Sequence, residues 1–142
     1  MEDAVMPFEV IDHTADMGIR VRAPDLPSLF TEAARGMFEQ IIDVKRIAAS
    51  GTRTLAIEGT DETDLLINML RELLYLFTGK GLLVKNTAIQ SLSGTAVTLQ
   101  IACETYDPER HAIRNEIKAV TYAGGDIRKT SEGLEAIIIF DI

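Results

Sequence analysis

Two short segments carry the residues best suited to chemistry: Asp12-His13-Thr14-Ala15-Asp16 near the start and Phe140-Asp141-Ile142 at the end. Carboxylate and carbonyl oxygens are the donors that hard cations such as calcium, magnesium and manganese prefer. Asp16 and Asp141 supply side-chain carboxylates, and Ile142 adds the carboxylate of the last residue. If the fold brings the two segments together, they make a small oxygen-rich cluster fit for a divalent cation. Spacing alone leaves a plainer reading open, in which Asp16 ends a strand and Asp141 is simply solvated. His13 reads more readily as a hydrogen-bonded structural histidine than as a ligand or a base.

Other machinery is poorly supported. Gly79-Lys80-Gly81 lacks the earlier glycine and the following Ser/Thr of a phosphate loop, and reads as a helix stop. With only His13, His111 and a lone cysteine, Cys103, neither a closed zinc site nor a Cys-His nucleophile pair is supported. Cys103 shares strand parity with Val97, Leu99 and Ile101, so it reads as inert core. A metal-dependent hydrolase built on the same acids would lack an evident general base.

The elements that must position these residues are legible from periodicity. Phe8 to Asp12 and Met17 to Ala23 read as strands, the second alternating Ile19 and Val21 with Arg20 and Arg22. A first helix starts near Pro27 with Asp25 as cap, carries Phe30, Ala33, Met37 and Ile41 on one stripe, and runs to about Asp43. Thr54 to Glu58 alternates as a strand ending at Gly59. Thr60 or Asp61 then caps a second helix, whose stripe is Leu66, Met69, Leu70, Leu73, Leu74 and Phe77 and which Gly79 and Gly81 stop. Leu82 to Leu92, a Ser93-Gly94 turn, and the alternation of Val97, Leu99, Ile101 and Cys103 follow. Tyr106 to Arg114 is a polar connection. Glu116 to Tyr122 and Asp126 to Lys129 flank Gly124-Gly125 like a hairpin, and Leu134 to Phe140 reads as a central strand buried on both faces. The expected class is α+β, two helices on a mostly antiparallel sheet, in one domain over residues 1–142.

Composition bounds the function. At 142 residues with 46% hydrophobic content the chain can bury a proper core. No apolar run reaches membrane-spanning length, and Met1-Glu2-Asp3-Ala4 is acidic where a secretory signal would be positive, so a cytoplasmic location is expected. The formal charge of −8 opposes tight direct binding to a nucleic-acid backbone and favours a basic partner. Arg110, His111, Arg114 and Lys118 form a loose basic group that reads as a solvated face, with an acidic patch or a phosphate as the alternative contact.

Several stretches together resemble the archease family, small proteins that assist an RNA ligase of tRNA splicing and RNA repair. They are Asp12-His13-Thr14-Ala15-Asp16, Leu65-Leu66, Glu72-Leu73-Leu74-Tyr75, Glu104-Thr105-Tyr106-Asp107, Glu116-Ile117-Lys118-Ala119-Val120-Thr121-Tyr122 and Phe140-Asp141-Ile142. The resemblance implies a compact α/β sandwich with a strand-helix-strand-strand core. It also implies a divalent cation held by Asp16, Asp141 and Ile142, with Asp43 near the site, and leaves Asp12 and His13 to support the strand end. By resemblance the protein is no enzyme. It is a cofactor that promotes the ligase's GTP- and metal-dependent guanylylation and permits multiple turnover. The alternative is a chaperone-like modulator of a tRNA methyltransferase or another RNA-processing enzyme. One departure stands out: archeases typically place a histidine after Val-Thr-Tyr, where this chain has Ala123, which implies a weakened contact or a shifted hairpin.

Overall fold

The computed structural model describes residues 7–13 and 16–142, the side chains of residues 12 and 13 excepted. Among the described residues, eight strands and two long helices follow one another as β1 (Phe8–His13), β2 (Asp16–Ala23), α1 (Leu26–Ile41), β3 (Gly51–Glu58), α2 (Glu62–Lys80), β4 (Leu82–Leu92), β5 (Ala96–Thr105), β6 (Ala119–Thr121), β7 (Arg128–Thr130) and β8 (Gly133–Asp141). This is the α+β class that the pattern predicts. Every strand pair is antiparallel.

The strands divide between two sheets. One runs in the order β1-β2-β8-β6, with β7 also on β8, and the other in the order β3-β5-β4. Helix α1 lies between them, packing on β2 and β8 of the first and β4 of the second, while α2 packs on α1, β3, β4 and β6. That position explains why α1 buries Leu29, Phe30, Ala33, Ala34, Met37, Phe38 and Ile41, a wider arc than one amphipathic stripe.

Both helices start where their caps predict. The Asp25 carboxylate accepts from Ser28 N–H (2.9 Å), and that of Asp61 accepts from Asp64 N–H (2.8 Å). Thr60 is not the cap; its own N–H donates to the Asp64 carboxylate. Helix α2 passes through Gly79 and stops at Gly81, which takes the left-handed conformation (φ 69°) and donates to Phe77 O. Gly79 therefore does not stop the helix. The carbonyls that end α1 are capped from far along the chain: Arg114 N–H reaches Ile41 O (2.6 Å), Arg114 Nη1 reaches Glu39 O and Asn115 Nδ2 reaches Gln40 O.

The expected hairpin around Gly124-Gly125 does not form. Strands β6 and β7 both pair with β8, the first with residues 139–141 and the second with residues 133–135. They are two pieces of one edge, interrupted by residues 122–127. At the break the backbone of Gly124 presses on β8 so closely that an added Cβ would fall 1.8 Å from Ile137 O. Strand β8 is central as expected, and its inner face (Ala136, Ile138, Phe140) is buried. Its other face is mixed, with Glu135 and Ile139 buried, Ile137 half-buried and Asp141 exposed.

Candidate functional site

Strand register brings the two predicted acids together. Asp16 opens β2, Asp141 ends β8, and the two are direct cross-strand partners. Ile19 and Val21 point into the core, so Asp16, Gly18, Arg20 and Arg22 share the outward face with Glu135, Ile137, Ile139 and Asp141. Directly opposed residues in such a pair have Cβ atoms about 4.5–5.5 Å apart, within reach of one ion. The same row continues on both sides, His13 standing opposite Asp16 on β1 and Ala119 opposite Asp141 on β6. Lys118 N–H donates to Asp141 O (2.8 Å) and fixes the far end of the row. Ile142 follows, about half exposed. The supporting roles of Asp12 and His13 rest on side chains outside the described residues, as do Thr14 and Ala15.

Next to the row, Gly18 lets two large side chains close over the strand. A Cβ there would lie 2.8 Å from Ile139 Cδ1 and 2.9 Å from Ile11 Cγ1. An apolar patch thus borders the carboxylates, and Ile139 is buried although it lies on the outward face.

The donor set suits a hard cation held from one side. Among the described residues no three His, Cys, Asp or Glu side chains converge on one point. Two carboxylates and the main-chain oxygen of Ile142 are fewer than the six to eight oxygens typical for calcium, so the remaining positions would fall to water or to a partner. Asp43 lies at the end of α1 and caps a short 3-10 turn, its carboxylate accepting from Lys45 N–H (3.1 Å).

Two other acids are enclosed in donors, and the sequence did not disclose them. Glu104, at the end of β5, accepts from Ala48 N–H (2.8 Å), from the guanidinium of Arg110 and from His111 Nε2 (2.8 Å). Asp107 N–H donates to His111 Nδ1 (2.9 Å), so the ring proton sits on Nε2. The Arg110 hydrogen bond, with that of Ala48, holds the Glu104 carboxyl down at about 2. Of the basic group, Arg110, Arg114 and Lys118 are exposed as a solvated face would be, although Arg110 pairs with Glu104 and Arg114 caps α1, whereas His111 is buried and departs from that reading. A buried histidine inside a polar run gave no periodic signal.

Glu135, on β8, is buried beneath Arg128, Arg22 (3.0 Å) and Arg20 (3.6 Å), with Arg128 contributing most to keeping its carboxyl below the usual range. A third cluster ties the interrupted edge to α2. Tyr122 O–H donates to Asp64 (2.6 Å), Arg71 lies over the Tyr122 ring at 4.6 Å, and Arg71 Nε donates to Val120 O (2.9 Å). Ala123, where the resemblance led us to expect histidine, lies in residues 122–127 beside this anchor, its N–H donating to Thr121 Oγ1.

The sequence pattern of the Archease protein family matches residues 8–142. The chain belongs to the archease family. It is 33% identical over 139 residues to protein archease of Methanosarcina barkeri, covering 95% of each chain. It is 32% identical over 129 residues to protein archease of Pyrococcus abyssi, covering 89% of this chain and 91% of that one. The solution structure of Methanobacterium thermoautotrophicum protein 1598 superposes with a TM-score of 0.81 at 29% identity, over 96% of this chain and 99% of that one. A crystal structure from Thermotoga maritima, described as an archease and possible chaperone, shares the fold with a TM-score of 0.62 at 19% identity. Against this archease background, no helix among the described residues is long and apolar enough to cross a membrane.

Proposed function

We propose that this archease is a non-catalytic protein cofactor that activates an RNA ligase in tRNA splicing or RNA repair, acting in the cytoplasm, and that Asp16, Asp141 and Ile142 hold a divalent cation, calcium or else magnesium or manganese. The observation that carries the reading is the cross-strand pairing of Asp16 with Asp141 at one end of the sheet. Both are carboxylates on an outward face, the donor type that a hard cation takes. A cation bound there would supply Lewis-acid charge. What the chain itself does is place two aspartates as cross-strand partners on an outward face, beside the apolar patch of Ile11 and Ile139. The partner's guanylylation and repeated turnover are the steps that such a face would promote. The charge of −8 suits approach to a basic, RNA-binding enzyme.

The test is ligation by the purified ligase under single- and multiple-turnover conditions, with and without this protein. Addition of the intact protein should raise multiple turnover, and Asp16→Ala or Asp141→Ala should lose most of that effect. No change on adding the intact protein would sink the proposal. An effect that persists undiminished in Asp16→Ala would instead favour chaperone-like action on a tRNA methyltransferase or another RNA-processing enzyme.

A further inference from the structure

Gly79 lies inside α2, where glycine is the poorest helix former after proline, and it neither ends the helix nor takes a left-handed conformation. Its neighbour explains it. A Cβ at residue 79 would lie 2.3 Å from Cε1 of Tyr75, one turn earlier, so the Tyr75 ring lies flat on the bare backbone of Gly79. Half of Tyr75 remains exposed, which leaves the outer side of the ring open to solvent. The glycine thus fixes an aromatic plane at the surface.

That plane forms part of a groove of about 370 Å³ between α2 and β6, lined also by Arg71, Leu74, Thr78, Lys118 and Val120. Arg71 is preset as well, since Nε is held by Val120 O and the guanidinium stacks on Tyr122. A fixed aromatic face, a fixed guanidinium and a lysine therefore meet in one small groove on a chain whose overall charge is −8.

We propose that this groove binds one nucleoside monophosphate unit, its base stacked on Tyr75 and its phosphate between Arg71 and Lys118. Stacking on an aromatic face is indifferent to base identity, and paired cations select the phosphate. One nucleotide fits the volume and the local charge, whereas a long polyanion would meet the acidic remainder of the surface. The unit could come free in solution or as part of a single strand. Binding needs neither Asp16 nor Asp141, so it stands or falls apart from the cation proposal.

The test is a titration of the intact protein followed by NMR at the Tyr75 ring and the amides of Gly79 and Lys118. The probes are adenosine 5′-monophosphate and a single-stranded tetra-adenylate, with adenosine, inorganic phosphate and tetraglutamate as comparisons. Saturable shifts with a nucleotide, tighter than with adenosine or phosphate alone, are expected. Tyr75→Ala should weaken binding roughly tenfold or more, while Tyr75→Phe should bind like the wild type. Gly79→Ala should also weaken binding without lowering the melting temperature, because the added methyl swings the ring away while improving helix propensity. A tetra-adenylate that binds where the mononucleotide does not would identify the source as a strand; the reverse would identify a free nucleotide. Tetraglutamate binding as tightly as either nucleotide would overturn the proposal in favour of an acidic protein segment. Absence of saturable shifts with both nucleotides, or full binding by Tyr75→Ala, would also overturn it.

Discussion

Glu104 and Glu135 are each surrounded by cationic or N–H donors, whereas Asp16 and Asp141 are set opposite each other across two strands. The first arrangement stabilises the ionised acid and ties distant segments together. The second places two aspartates as cross-strand partners where β2 begins and β8 ends. Carboxylates of one chemistry thus serve as internal clamps in one region and as an outward-facing pair in the other. The difference separates acids enclosed by donors inside the fold from a cross-strand pair at the end of two strands.

Mutations can break this contrast at several levels. The largest effect should come from the residue beside the pair: Phe140 is fully buried on the inner face of β8, and Phe140→Ala should cost about 3–5 kcal/mol in denaturant unfolding. Next, His111→Ala removes a buried ring that bridges Asp107 N–H and Glu104, and should cost about 2–3 kcal/mol by the same measurement. The clamp should also show in pH. The Glu104 carboxyl is held at about 2 against an ordinary value of 4.5, so the stability it contributes is present above about 4.5 and is lost as pH falls towards 2. Acid unfolding of Glu104→Gln should accordingly be less steep over that window than that of the wild type.

A smaller effect is expected for Tyr122→Phe, which removes the partly exposed hydrogen bond to Asp64 that anchors the interrupted edge, at about 0.5–1 kcal/mol. The smallest is expected for Asp141→Asn, which changes an exposed residue at the end of β8 and should move the stability of the cation-free protein by no more than about 0.5 kcal/mol. A loss as large as that of a clamp residue would erase the distinction between the two regions.

Much of the frame was legible in the sequence because it follows from local rules. Asp25 and Asp61 cap their helices, and the alternation of β2 and β5 sorts Ile19, Val21, Leu99 and Ile101 inward. The meeting of Asp16 with Asp141 was not local. Two strands 125 residues apart in sequence pair only through the sheet order, and it was the resemblance of the whole chain that pointed to it. The hairpin expectation failed because Gly124-Gly125 looks like a turn, whereas a glycine there is required by close approach to Ile137 O. Gly79 misled in the same way, its bare backbone serving the Tyr75 ring rather than a helix end. The Glu104-His111 clamp was hidden because long-range polar contacts leave no period in the sequence.

The central claim is that the opposed aspartates are completed by a divalent cation, and thermal unfolding in a calcium, magnesium or manganese titration tests it most directly. At a cation concentration 100-fold above its dissociation constant the wild type should gain about 2.7 kcal/mol, a rise of roughly 6–10 °C in Tm, and Asp141→Asn should gain little. An equal rise in both proteins, or no rise in the wild type with any of the three cations, would contradict the account.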